Sequence, residues 1–168
     1  MALYDVNKLM VEARKLAAQY KAATGKSLGI SSEIAKFDVA RLMDLELCES
    51  PHSGGYDAIG HGDREGKRIQ IKGRAVFDDK KTGQRIGQLK IEQEWDSIMM
   101  VMMDEQYEPV EIREAEREDI IEAIKVSEES KRSKRGAMSV AKFKNISRLV
   151  WTREEGVIKD EIWENQPG

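Results

Sequence analysis

The sequence predicts an α/β protein with a mixed central sheet flanked by helices. Three observations carry that expectation. Helical periodicity opens the chain, over residues 6–20 and again over 34–43. A segment of alternating character, Arg68-Ile69-Gln70-Ile71-Lys72, follows a glycine-rich turn. A dense apolar run over 98–103 comes after it.

The elements follow in order. Val6, Leu9, Met10, Ala13, Leu16, Ala17 and Tyr20 recur at the spacing of one buried helix face. Thr24-Gly25 stops that helix. Ser31 and Ser32 are natural N-caps for a second helix, whose apolar residues include Ile34, Phe37, Ala40, Leu42 and Met43. Residues 44–47 lead into a loop holding Pro51, Ser53, Gly54 and Gly55. A short strand with Asp57 comes next, then a polar turn over 60–66 and a second strand over 67–77. Residues 78–83 read as a charged turn, and 85–89 as a further strand or a loop over the site. The apolar run, with its approach from Asp96, is a central strand buried on both faces. Residues 109–113 return antiparallel to it after a turn over 104–108. A short helix over 116–124 precedes a loop over 127–136, and Ser139 caps one more short helix.

At 168 residues the chain is long enough for one domain with a real core. Its expected parts are N-terminal helices over 5–47, a sheet core over 54–113, and a C-terminal helix and basic segment over 116–168. The net charge of −3 excludes a uniformly basic nucleic-acid binder. A single cysteine, Cys48, excludes an internal disulfide and a multi-cysteine zinc site; it reads as a small buried residue. Asp5, Asn7 and Lys8 sit within an amphipathic pattern, which is not that of a signal peptide. The longest apolar run is far too short to span a bilayer. A cytoplasmic protein without membrane partners is the expectation.

Chemistry concentrates at Asp57 and Gln70-Ile71-Lys72. Alternation puts Gln70 and Lys72 on one face of a strand and Ile69 and Ile71 on the other. Asp57, on a neighbouring strand, can join them. A carboxylate, an amide oxygen and an ammonium on one sheet face can hold a divalent metal and activate a water beside it.

This arrangement resembles the active site of the PD-(D/E)xK nuclease superfamily, the restriction-endonuclease-like fold. The match runs over Asp57 and Gln70-Ile71-Lys72, with Gly54-Gly55 before the acid and Lys72-Gly73-Arg74 at the end. Tyr56 stands where the superfamily's usual proline precedes the acid, and Gln70 replaces its usual second acid. Gln supplies a neutral oxygen, so this site has one negative charge fewer for metal. The resemblance covers about residues 31–113 and implies a restriction-endonuclease-like mixed sheet flanked by helices. It further implies Mg²⁺-dependent hydrolysis of phosphodiesters in DNA, with Mn²⁺ as an alternative metal. Asp57, Gln70 and the Ile71 carbonyl are the implied metal ligands. Lys72 orients or deprotonates the attacking water and offsets charge in the transition state. Glu33, a helical acid before the first strand, either completes the metal shell or complements the helix N-terminus. Arg74, two residues beyond Lys72, is placed to hold a phosphate oxygen. Paired cutting of two strands implies a homodimer. The alternative is a non-catalytic nucleic-acid-binding or assembly module that keeps the fold.

Charge is unevenly spread. Residues 64–90 hold nine Lys or Arg against three acids, and 131–148 hold seven and no acid. That separation predicts a cationic groove on a net-anionic chain. Lys142 and Lys144, in the short helix after Ser139, are the expected phosphate contacts. Trp151 and Trp163 flank that region and read as core or dimer packing, while His52 and His61 read as surface residues. The helix over 31–47 also resembles half of a helix-turn-helix, but Pro51 and Gly54-Gly55 break any second helix.

Overall fold

The computed structural model describes residues 5–49, 55–75, 85–89, 91–129 and 137–159. In chain order its elements are α1 (Val6–Thr24), α2 (Ser31–Met43), β1 (Leu45–Leu47), β2 (Ala58–Gly60), β3 (Arg68–Ala75), β4 (Arg85–Gln88), β5 (Ser97–Met103), β6 (Pro109–Glu116), α3 (Arg117–Glu129), β7 (Ala137–Ser139), α4 (Val140–Ile146), β8 (Arg148–Thr152) and β9 (Gly156–Val157). A 3-10 turn, Gly62–Arg64, lies between β2 and β3. His52, Gly54, the turn over 78–83, the cations over 131–135 and Trp163 lie outside the described residues.

The fold is mixed α/β. Seven strands form one sheet in the order β1-β2-β3-β5-β6-β8-β9, and β4 pairs with β7 in a small second sheet. Only β3 and β5 run parallel in the large sheet; every other pair is antiparallel. The Met-rich strand β5 is buried at all seven positions, with β3 on one side and β6 on the other. Met99, Val101 and Met103 face one core with α1 and α2, and Ile98, Met100 and Met102 face another with α3 and α4. Helix α2 touches β1, β3, β5 and β9, strands drawn from both edges of the sheet, so the sheet curls around it.

Two local features let α2 seat on the sheet. A Cβ at Gly73 would stand 2.5 Å from the Ala35 Cβ, so glycine on β3 and alanine on α2 permit the close approach. Arg14 of α1 and Asp38 of α2 form a buried two-pronged ion pair, with nitrogen–oxygen distances of 2.7 and 2.8 Å. Arg14 also donates to the Tyr107 carbonyl in the β5–β6 turn, which ties both helices to the hairpin.

Sequence and structure differ at five places. The face of α1 expected to be buried is mostly exposed: of its seven apolar residues only Ala17 is buried, while Val6, Leu9, Leu16 and Tyr20 face outward, because α1 packs on the fold through Arg14, Ala17 and Ala18. Ser31 and Ser32 lie inside the first turn of α2, and Ile30 takes the N-cap position without a side-chain hydrogen bond. Residues 45–47, read as the approach to a loop, pair with β2 as an edge strand. Strand β6 continues past Arg113 to Glu116 because Glu114 finds partners inside the protein. Strands β8 and β9 add to the same sheet, so the sheet extends beyond 54–113 at both ends. Ser139 caps α4 as expected, its Oγ accepting from the Lys142 N–H at 3.1 Å.

Candidate functional site

Strand β2 pairs with β3 only at Ala58 and Ile59, opposite Ile69 and Arg68. Asp57 sits where the two strands part. Its N–H donates to the Ile69 carbonyl at 2.9 Å, and its own carbonyl accepts from the Cys48 N–H at 2.9 Å. Beyond that point its carboxylate takes over the ladder, Oδ2 accepting from the Ile71 N–H at 2.7 Å. The N–H and C=O of one strand residue point to the same edge, so the Ile71 carbonyl also faces this gap.

Gln70 lies on the opposite side of β3 from the buried Ile69 and Ile71. Its Nε2 donates to the Gly55 carbonyl at 3.0 Å. That bond fixes the amide, since a flip would set Oε1 against another acceptor. Oε1 is then left buried without a hydrogen-bond partner among the described residues. Such a group carries an unrelieved desolvation cost of about 1–3 kcal/mol. Gly55 itself has φ 84°, and a Cβ there would meet the Gln93 side chain at 2.2 Å. Glycine is therefore required where the chain turns into the site.

Asp57 and Gln70 line a cavity of about 530 Å³ with Glu33, Lys36 and Phe37 of α2 and with Cys48, Glu49 and Tyr56. Lys36 joins this cavity from α2. Its Nζ stands 3.7 Å from Asp57 Oδ1 and 3.7 Å from Glu33 Oε1. The Glu33 side chain is 69% exposed and meets the site through this lysine. A spacing of three residues on one helix was the available signal for the Glu33–Lys36 pair. Nothing local signals its contact with Asp57. Burial, then the charges of Asp57 and Glu46, push the Cys48 thiol above its ordinary pKa, so it stays protonated and weakly nucleophilic.

The remaining expected site residues belong to β3 and α4. Lys72 is half-buried two positions along β3 from Gln70, opposite Met100 on β5. Arg74 follows opposite Met102, and burial pulls its guanidinium below its ordinary pKa. Its Nη1 donates to the Gly73 carbonyl at 2.6 Å. Lys142 and Lys144 belong to α4, in the layer across the sheet from Glu33 and Lys36. Lys142 lines a separate hollow with Asp119 and Glu122, and Lys144 Nζ stands 3.8 Å from Glu111. His61 is exposed, 3.9 Å from Glu46.

A second polar constellation was not anticipated. The Glu114 carboxylate, fully buried, accepts from Arg64 at 2.9 Å, Arg148 at 2.9 Å and Ser97 Oγ at 2.7 Å, with Lys67 at 3.2 Å. Burial pushes its pKa up, but the hydrogen bonds from Arg64 and Ser97 and the charges of Arg64 and Lys67 outweigh that and hold it at about 2. Arg68 is likewise paired, with Asp96 at 3.2 Å. Several cations of the 64–90 cluster are therefore joined to acids that are remote in sequence.

Among the described residues, no three His, Cys, Asp or Glu side chains stand close enough to share one ion. Any metal at Asp57 would draw its further oxygens from Glu33, the Gln70 amide and backbone. Comparison with known proteins gives no match to any family model and none among curated proteins.

Proposed function

We propose that this chain is a metal-dependent phosphodiesterase acting on DNA, built on the restriction-endonuclease-like version of its mixed α/β fold. One observation carries the reading. Asp57 stands at the parting of β2 and β3, and Gln70 lines the same cavity, while its amide oxygen is buried without a partner among the described residues. The available donors are all hard oxygens: the Asp57 carboxylate, the Gln70 amide, the Ile71 carbonyl and the Glu33 carboxylate. That set suits Mg²⁺ or Mn²⁺, and a cation would relieve the orphaned Gln70 oxygen.

When bound, the ion would polarise a phosphate and lower the pKa of a water. The protein supplies the rest. The Ile71 N–H and the Gly55 carbonyl hold Asp57 and Gln70 in fixed orientations. Lys72 would orient the attacking water, or take its proton, and offset charge as it develops. Arg74 would contribute a phosphate contact only after giving up part of its buried setting. The exposed apolar side chains of α1, among them Leu9, Leu16 and Tyr20, offer the surface for a homodimer.

The test is cleavage of plasmid DNA by the purified chain with Mg²⁺ or Mn²⁺. Wild type should nick or linearise the plasmid, and Asp57→Asn should lose that activity by at least about two orders of magnitude. Robust cleavage by Asp57→Asn, or none by wild type with either metal, would defeat the reading.

A second reading has one observation in its favour. Lys36 already supplies a positive charge between Asp57 and Glu33. A non-catalytic module that binds nucleic acid or a partner could keep its carboxylates neutralised in this way. Binding of DNA without cleavage in either metal would select it.

A further inference from the structure

The cavity at Asp57 has an internal cation, and its position bears on how the site would take a metal. Glu33, Glu49 and Asp57 line it, against Lys36. Asp57 uses one carboxylate oxygen on the Ile71 amide, and its other oxygen faces the Lys36 ammonium. The same ammonium faces Glu33. At 3.7 Å from each, Lys36 makes no close hydrogen bond to either oxygen, so it neutralises both carboxylates while fully engaging neither. A third of its side chain is exposed, so it has room to swing outward.

We infer that Lys36 is a tethered cation that competes with a divalent ion for Asp57 and Glu33 and so sets the metal affinity of the site. The inference rests on the metal-dependent reading proposed above and adds a residue that reading did not contain. Lys36 acts on the carboxylates and is a positioning residue, not a catalytic one. For a divalent ion to approach Asp57 Oδ1, the ammonium has to leave; two cations sharing one carboxylate at short range repel each other. Removing the charge while keeping an apolar stem leaves the carboxylates uncompensated and favours the ion. Because the site is partly exposed and screened, the gain is set at about tenfold and not at the far larger value of a dry interior.

The experiment is a Mn²⁺ titration of the 168-residue chain, read by the electron paramagnetic resonance signal of free aquo-Mn²⁺, with no DNA present. Lys36→Met should bind Mn²⁺ at least about tenfold more tightly than wild type. Lys36→Arg, which keeps the charge, should stay close to wild type. In Lys36→Met, a further Asp57→Asn change should abolish the added affinity, which places it at this cavity. Lys36→Gln provides a second uncharged variant should the methionine fail to fold, and a thermal melt reports folding for each. Equal or weaker Mn²⁺ binding by the uncharged variants would overturn the inference. So would a gain that survives Asp57→Asn. If that happens while wild type still cleaves DNA with Mg²⁺, the nuclease reading stands and only the role of Lys36 falls. If no variant binds Mn²⁺ and wild type does not cleave, both fall together.

Discussion

Glu114 shows how one residue can hold a region together. Its carboxylate is buried, yet three cations and a serine hydroxyl surround it, and its pKa falls from 4.5 to about 2. A carboxyl whose folded pKa is depressed stabilises the fold above its unfolded pKa. That stability drains away as pH falls through the folded pKa. The contribution here is roughly 3 kcal/mol, present above about pH 4.5 and lost on the way to about pH 2. Glu114→Gln should therefore lower the melting temperature at neutral pH, and the gap to wild type should shrink on acidification across that window. Calorimetry of both proteins at several pH values would check it, and a gap that stays constant would count against the ion cluster. None of this is visible locally. The alternation of β6 can be followed from Pro109 to Arg113, and Glu114 then reads as the polar end of a strand. Only the approach of Arg64, Lys67 and Arg148 makes a buried acid tenable there. Asp57 and Gln70 were legible because their residue types and their alternation point to chemistry. Lys36 was not, because its partner Asp57 lies on another element.

At the scale of elements, the seating of α2 on β3 positions the site, since α2 carries Glu33, Lys36 and Phe37. Gly73 governs that seating. A methyl group at 2.5 Å from the Ala35 Cβ would push the helix off the sheet. Gly73→Ala should cost about 1–3 kcal/mol, read as a lowered midpoint in urea unfolding. Ala35→Gly in the same chain should restore part of the loss, since it removes the clashing atom. No restoration would mean that another contact sets the helix height. The helices and the strands β3 and β5 were legible because each holds one character over seven or more residues, and β6 was legible as far as Arg113. The three-residue β1 and two-residue β9 are too short to carry a period, and they exist only because a neighbour offers an edge. Strand β8 was legible in principle. Leu149, Val150 and Trp151 are strand formers, followed by a turn at Glu154-Glu155-Gly156, but the surrounding lysines drew the reading towards a basic helical segment.

For the whole molecule, the sheet changes the case for a dimer. The Met-rich β5 is the buried centre of the sheet and offers no apolar surface to a partner. Trp95 and Trp151 are buried as well. Among the described residues, most of the exposed large apolar side chains lie on α1, including Leu9 and Leu16. A homodimer would thus form through α1, and Leu9→Lys with Leu16→Lys should convert it to monomer while leaving the melting temperature nearly unchanged. Sedimentation velocity at micromolar concentration gives the answer, and a wild type that already sediments as a monomer would end the dimer proposal.

What the sequence determined by itself was the kind of each long element and the residues most suited to chemistry. Both are properties of short stretches: periodicity decides helix or strand, and residue type decides what a side chain can donate or accept. The tertiary structure decided how distant charges are matched. It joined Arg64, Lys67 and Arg148 to Glu114, and Arg14 to Asp38. It also set Lys36 beside Asp57, and placed Lys142 and Lys144 across the sheet from that cavity. Local pattern carries no record of these pairings. The energy of a charge depends on its burial and on which opposite charge stands within a few ångströms, and both are fixed only when the sheet curls around α2.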